Sequence, residues 1–171
     1  MQNNHHKRDK RQSMARQPVH GRLFTQATTM SLPAPPEQVF PLLCPVLEYD
    51  WIPYWDCRMV HSSSGVAEKD CVFETDLPDR GHEIWICTRY EPPHNIEYVR
   101  WSSRGLVRRL TITLGASQDQ TTSMLWETSA TPLTPEGKAM VERMAQGQYG
   151  QEILLVENLL RHYLATGTML D

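Results

Sequence analysis

The sequence predicts a single α+β domain in which a curved antiparallel sheet of about seven strands wraps around one long C-terminal helix. Three observations support this prediction. One strand-like segment precedes two short helical segments, six further segments rich in Val, Ile, Thr, Tyr and Trp follow with short turns between them, and a long amphipathic segment closes the chain. Short turns between successive strands favour hairpins, and a run of hairpins forms an antiparallel meander.

Composition indicates one folded domain with a polar N-terminal tail. The 171 residues are 40% hydrophobic and 22% charged, as in a globular protein with a core. Residues 1–21 are polar, lack periodic apolar residues and hold five of the 17 basic residues but one of the 20 acidic residues. We therefore expect a disordered basic tail over 1–21 and a folded domain over 22–171.

The charge distribution argues against nucleic acid as a partner. Without the tail, the chain carries a net charge of about −7, which repels a phosphate backbone. No apolar run is long enough to span a bilayer, and the first residues lack the apolar core of a secretory signal. We therefore expect a cytoplasmic protein without stable membrane insertion. The four cysteines lack Cys-x-x-Cys spacing, so we expect them to be reduced, mostly buried thiols.

The first elements are defined by prolines. A strand is predicted over 22–31 and ends before Pro33, because proline cannot continue a hydrogen-bonded ladder. Pro36 suits the first turn of a short helix that Pro45 interrupts. A second short helix or turn is predicted over 46–51, so two short helices separate the first strand from the rest.

The central part of the chain reads as six strands separated by turn residues. In the last two strands apolar and polar residues alternate, as in half-buried strands with one apolar face. The six predicted strands cover residues 57–62, 70–76, 82–91, 95–102, 106–115 and 121–131.

The C-terminal segment reads as a helix of about 30 residues. Thr134 suits the N-cap, Pro135 suits the first helical position, and an apolar stripe begins at Tyr149. Gly147 and Gly150 each weaken a helix by about 1 kcal/mol relative to alanine, which predicts a bend. We interpret this segment as a flexible gate, a hypothesis that requires both glycines to have ordinary helical φ angles.

This element order resembles the helix-grip fold of the START-like superfamily. The closest likeness is to small bacterial proteins of the polyketide cyclase/dehydrase and lipid-transport group, often called SRPBCC proteins, and it covers roughly residues 22–166. The motifs that carry it are Pro36-Glu37-Gln38-Val39-Phe40, Trp51-Ile52-Pro53-Tyr54-Trp55, Ser64-Gly65-Val66-Ala67-Glu68, Arg89-Tyr90-Glu91-Pro92 and Thr122-Ser123-Met124-Leu125-Trp126. The resemblance implies a START-like small-molecule-binding domain over 22–171, with a cavity between sheet and terminal helix for lipids, sterols, polyketides or other apolar molecules.

Four aromatic residues are the first candidates for the wall of this cavity. Tyr98 lies on a central strand, Trp126 on the last strand, and Tyr149 begins the helical stripe that must meet the sheet. Trp85 is also predicted to contribute, although the isoleucines on either side of it could face inward instead. Ordinary core packing is the competing explanation for each of these residues.

Two further residues are predicted to contact the ligand. Arg100 shares the strand face of Tyr98, so it either anchors an acidic ligand group or forms a surface salt bridge. His61, near a strand end, could act as a general base or simply be a partly exposed polar residue. Most of the strand carboxylates are expected to face water on the convex side of the sheet, whereas any one turned inward would be costly unless paired and would mark a functional site: Glu74, Asp76, Glu83, Glu97 and Glu127.

The sequence predicts neither a metal site nor a cofactor. Its histidines are scattered over different elements, and no nucleophile elbow, phosphate-binding glycine loop or dinucleotide fingerprint is present. Nothing in the sequence indicates the oligomeric state or assigns a catalytic residue.

Three functions remain open. The preferred hypothesis is a non-enzymatic protein that binds or transports a small apolar or aromatic molecule. The alternative is an enzyme of the aromatase/cyclase kind, a cyclase or dehydratase for a hydrophobic substrate, which needs positioning and one proton shuttle. A weaker alternative is an interaction domain similar to the Hsp90-activating group. A sealed, wholly apolar cavity would favour carriage, an inward His or carboxylate beside an Arg or Tyr would favour catalysis, and a filled core would favour the interaction domain.

Overall fold

The computed structural model describes residues 23–78 and 80–170. The tail predicted over 1–21 lies outside these residues, so its disorder stays a prediction. Among the described residues, no helix is long and apolar enough to cross a membrane.

Seven strands form one antiparallel sheet in the order β1-β7-β6-β5-β4-β3-β2. Strands β2 to β7 pair with their neighbours in sequence, whereas β1 pairs with β7, so that Phe24 lies opposite Ala130 and Leu32 opposite Thr122. Register shifts in β2 and β4 mark bulges, which bend the strands and help the sheet to curve. The strands are β1 (Phe24–Leu32), β2 (Cys57–His61), β3 (Val72–Leu77), β4 (Gly81–Glu91), β5 (Asn95–Ser102), β6 (Leu106–Ala116) and β7 (Thr122–Pro132).

Short helices connect β1 to β2, as predicted. Helix α1 (Pro36–Val39) starts with Pro36 in its first turn and continues into a 3₁₀ turn over Phe40–Leu43. Cys44 is extended, as expected for a residue before proline, and a second 3₁₀ turn follows over Leu47–Asp50. This second turn carries Glu48 beneath the concave face of the sheet.

The C-terminal helix consists of two α-helices joined by one wide turn. Thr134 caps α2 (Pro135–Arg143) by accepting a hydrogen bond of 3.1 Å from the Gly137 amide, and α3 (Tyr149–Thr166) follows a π-helical turn over Met144–Gln148. The bend therefore lies where the glycines predicted it. Gly147 has a φ of 108°, a conformation that strains any residue with a Cβ atom, so the gate hypothesis loses its basis.

Strand alternation places the core between the concave face of the sheet and α3. Ile96, Tyr98 and Arg100 of β5 are buried together. On β4 the ambiguity is resolved, because Trp85 is buried while the flanking isoleucines are exposed on the convex face. The fold class predicted from the sequence is confirmed: a seven-stranded curved antiparallel sheet, two short helical segments after its first strand, and a long terminal helix.

One of the sheet carboxylates is turned inward. Glu83 does not face water but is completely buried, because it shares the inward face of β4 with Trp85 and Cys87. Arg100 does not form a surface salt bridge, one of its two possible roles, since it is only 4% exposed and pairs with the buried Glu83. The four cysteines are free thiols, and Cys57 is the one that is half-buried rather than buried.

Candidate functional site

A cavity lies between the concave face of the sheet, the second 3₁₀ turn and α3. The empty space between its walls, including the part open to solvent, is about 710 Å³, but only about 60 Å³ admits the centre of a water molecule. Its lining is mainly apolar and aromatic, with four acidic or basic side chains: Leu43, Pro45, Glu48, Trp51, Ile52, Tyr54, Trp55, Phe73, Leu77, Arg80, Trp85, Tyr98, Arg100, Leu110, Ile112, Trp126, Tyr149, Glu152, Ile153 and Val156.

Three rings from adjacent strands form one wall. Trp85 stacks on Phe73 with ring centroids 5.3 Å apart and an interplanar angle of 18°, and Tyr98 meets both rings edge-on. Their polar atoms are already used: Trp85 Nε1 donates to Thr75 Oγ1 at 3.0 Å, and Tyr98 Oη donates to the Leu43 carbonyl at 3.1 Å. These bonds fix the rings as a rigid apolar surface, so the polar groups of this wall orient the rings rather than a ligand.

A second wall joins the last strand to the terminal helix. Trp126 Nε1 donates to the Tyr149 hydroxyl at 3.0 Å, and the same hydroxyl is hydrogen-bonded to Thr128 Oγ1. Since Trp126 and Thr128 lie on β7 and Tyr149 begins α3, this cluster holds the start of the helix against the sheet.

The innermost charged group is a buried triad of Glu83, Arg100 and Arg108. Arg100 Nη1 lies 3.1 Å from Glu83 Oε2, and Arg108 Nη2 pairs with Glu83 Oε1. The exposed fractions are 0% for Glu83, 4% for Arg100 and 3% for Arg108. Although burial raises it, the two guanidiniums together lower the pKa of Glu83 below its ordinary value. Glu83 is therefore ionised and compensates one of the two positive charges.

Arg100 connects this triad to the cavity. Its guanidinium carbon lies 4.1 Å from the centroid of the Trp85 ring, within range of a cation–π interaction. Burial, and next the neighbouring Arg108, lower the pKa of Arg100 to about 9, which leaves it charged at neutral pH.

Glu48 is one of the two carboxyls that line the cavity. Its carboxyl group accepts no hydrogen bond from the described residues, and burial raises its pKa from 4.5 to about 8 although Arg100 opposes the change. The other titratable groups that interact with it are Tyr54, Cys57 and Tyr98. Glu48 is therefore largely protonated at neutral pH and can both donate and accept a proton there.

Partly exposed residues of the lining form the mouth of the cavity. Arg80, which precedes β4, donates from Nη2 to Oε2 of Glu152 on α3 at 2.8 Å. Tyr54 is 44% exposed beside them. The ion pair thus bridges the sheet and the helix at the exposed edge of the cavity.

The structure brings five of the six predicted site residues to one cavity. Trp85, Tyr98, Arg100, Trp126 and Tyr149 all line it, whereas ligand contact by each of them stays a prediction.

The sixth residue lies elsewhere. His61 is at the exposed end of β2, beyond the register shift after Met59, and is not among the lining residues. Sequence reasoning missed Glu48, Glu83 and Arg108. Within residues 23–78 and 80–170, no group of three His, Cys, Asp or Glu side chains is placed to hold a metal ion.

Comparison with known proteins identifies the fold but no family. No protein-family model matches the chain, and a sequence comparison with curated proteins finds no match. Among solved structures, a conserved protein from Geobacillus kaustophilus is similar, with 16% identity over 85% of this chain and 97% of that chain and a TM-score of 0.63.

Two further structures have the same architecture. CalU16 from Micromonospora echinospora is 15% identical over 86% of this chain and 78% of its own, with a TM-score of 0.59. Ara h 8.0201 is 14% identical over 85% of this chain and 99% of its own, with a TM-score of 0.57. These likenesses show a shared helix-grip fold.

Proposed function

We propose that this chain is a member of the START-like (SRPBCC) superfamily and that its cavity binds or transports a small apolar or aromatic molecule. The observation that carries the proposal is the aromatic cavity between the sheet and α3, whose walls are held in place by their own hydrogen bonds. Pockets for small molecules are typically concave and mostly apolar, with a few convergent polar groups. The interaction-domain alternative calls for a filled core, which the cavity does not favour.

The free space sets a limit on the ligand. The part of the cavity that water molecules can occupy has a volume of about 60 Å³, which is enough for roughly four to six waters at 10–15 Å³ each. A larger ligand, such as a lipid or a fused aromatic system, therefore requires side chains at the mouth to move. The partly exposed Arg80–Glu152 pair can open at little cost, because exposed ion pairs contribute at most about 1 kcal/mol.

A neutral apolar dye, N-phenyl-1-naphthylamine, tests the proposal without involving charge. Bound in the cavity, it should quench tryptophan emission. Replacing the lining residue Trp126 by Phe should remove part of that response.

Trp101→Phe is the matched control. Trp101 is 43% exposed on the convex face, so its loss should leave the quenching by bound dye unchanged. The proposed cavity function is wrong if no apolar molecule binds, and the assignment of Trp126 is wrong if both variants respond alike.

One observation favours an enzyme of the aromatase/cyclase kind as a second candidate. Glu48 is an inward carboxyl with a pKa of about 8, and the Arg100 charge lies close enough to oppose that shift. In such a reaction the Glu48 carboxylate would remove a proton from the carbon next to a substrate carbonyl, and Arg100 would stabilise the resulting enolate oxygen. After carbon–carbon bond formation, the protonated Glu48 would return that proton to the alkoxide oxygen of the aldol product. For loss of water, the Glu48 carboxylate would remove a second proton from the same α-carbon and deliver it to the hydroxyl group as the C–O bond breaks.

Proton exchange provides a test that needs no natural substrate. The methyl protons of 2-acetylnaphthalene exchange with deuterium in D₂O through the enolate, and proton NMR follows their loss. If Glu48 acts as the base, the parent protein should exchange the methyl protons faster than buffer alone, and Glu48→Gln should exchange them no faster than buffer. Both proteins should still bind the dye. Equal exchange rates with and without the parent protein would argue against enolate chemistry at this site.

A further inference from the structure

The inner end of the cavity carries more positive than negative charge. Two guanidiniums, Arg100 and Arg108, face one carboxylate, Glu83, and each of the three side chains is at least 96% buried. A buried charge is costly unless it is paired. One positive charge at this end of the cavity therefore lacks a counterion within the triad.

The guanidiniums also have unused hydrogen-bond donors. A guanidinium offers five N–H donors. Within the described part of the chain, Arg100 and Arg108 each donate one hydrogen bond, to Glu83, and the buried Nε atom of each has no partner. Buried polar groups normally have partners, so this end of the cavity is suited to a further acceptor.

The other acids of the lining do not supply that counterion. Glu152 is paired with Arg80 at the mouth. Glu48 is held largely in its protonated, neutral form by burial, as its raised pKa indicates. No other carboxyl group is among the described lining residues.

We propose that the cavity selects an apolar acid, whose carboxylate pairs with the guanidinium of Arg100 while its hydrophobic body lies against Trp85, Tyr98 and Trp126. This inference rests on the proposed binding function and adds a charge to its ligand. Arg100 is the contact because it lines the cavity and Arg108 does not. The bound carboxylate balances the second guanidinium and accepts hydrogen bonds that the protein leaves unmade.

A matched pair of ligands separates charge from shape. 2-Naphthoate and 2-naphthamide have the same ring system and similar size, and only the first is charged. Both compete with bound N-phenyl-1-naphthylamine at pH 6.5, and dye fluorescence reports the displacement. We expect the carboxylate to bind the parent protein at least about tenfold more tightly than the amide, a difference of 1.4 kcal/mol.

Arg100→Met is the variant that tests the residue. It leaves Glu83 paired with Arg108, so the remaining buried pair is balanced in charge. The tenfold preference should disappear, because the carboxylate loses about ten times more affinity than the amide. Arg109→Met is the matched control, because Arg109 is the neighbour of Arg108 on the exposed convex side and its loss changes the net charge equally.

Each outcome is decisive. Failure of the neutral dye to bind the parent protein would overturn the cavity function and this inference with it. If the dye binds but 2-naphthoate and 2-naphthamide displace it equally well, only the carboxylate subsite is overturned. This comparison uses the parent protein alone, so it does not depend on the folding of any variant. A preference that survives in Arg100→Met, or an equal loss of affinity for both ligands, would show that Arg100 shapes the cavity without recognising the anion.

Discussion

Replacing Glu48 by Gln should stabilise the protein at neutral pH and flatten the pH dependence of its stability. The carboxyl has a pKa of about 8 in the folded protein and an ordinary value of 4.5. Below pH 4.5 it is protonated in both states and contributes nothing. Between pH 4.5 and 8 the unfolded chain loses the proton while the folded protein keeps it, so the free energy of unfolding falls as pH rises.

The magnitude follows from the two pKa values. One pKa unit corresponds to about 1.4 kcal/mol, so this single carboxyl lowers the free energy of unfolding by about 2.5 kcal/mol between pH 5 and pH 7. At pH 7 the accumulated penalty is about 3 kcal/mol, an upper value because the cavity gives the group some access to solvent. Glutamine keeps the shape of the side chain and removes the titration. Glu83 acts in a different window, because its lowered pKa contributes stability that is lost as pH falls below its ordinary value.

Urea unfolding at pH 5, 6 and 7, followed by circular dichroism, measures the effect. Glu48→Gln should match the parent protein within about 1 kcal/mol at pH 5 and exceed it by about 3 kcal/mol at pH 7, with an unchanged m-value. Glu127→Gln, at an exposed position on the convex face, should follow the parent protein at every pH. Parallel curves for Glu48→Gln and the parent protein would refute the placement of this carboxyl in a desolvated cavity.

Three further predictions concern stability. Glu83→Gln should lower the free energy of unfolding by roughly 3–5 kcal/mol in urea titrations, because it leaves two buried guanidiniums facing a neutral amide. Glu97→Gln on the outer face should lower the free energy of unfolding much less. Equal losses in the two variants would show that the buried triad does not stabilise the fold. Gly105→Ala should unfold at lower temperature than Gly65→Ala: both glycines have a φ of 80°, but an added Cβ at Gly105 would lie 2.2 Å from a side-chain oxygen, whereas at Gly65 it would meet nothing within 4 Å. Deleting residues 1–21 should shift the unfolding midpoint by less than about 5 °C, since a larger fall would show that the tail packs.

Much of the fold could be predicted because periodicity determines which side of a strand is buried. Tyr98 and Arg100 share a strand face with Ile96, and all three are buried. The same rule places Glu83 beside Trp85 and Arg108 beside Leu110, so the triad was open to prediction. Residue type alone predicts that Glu83 and Arg108 face solvent, and only their position in the alternation predicts that they are buried.

Glu48 could not be predicted in this way. It lies on a 3₁₀ turn of four residues, which is too short to show a period, and only the packing of that turn beneath the sheet directs its carboxyl group into the cavity. His61 illustrates the opposite limit. A histidine near a strand end has suitable chemistry, but a register shift in β2 and the edge position of that strand keep it away from the site.

The pairing of β1 with β7 determines when the cavity can exist during synthesis. Phe24 must wait for Ala130, 106 residues later, whereas β2 to β6 can form hairpins as each strand leaves the ribosome. At translation rates of about 5–20 residues per second, the first strand stays unpaired for roughly 5–20 s. Helix α3, which closes the cavity, is made later still. A ligand of the proposed kind is therefore enclosed only after α3 has been synthesised.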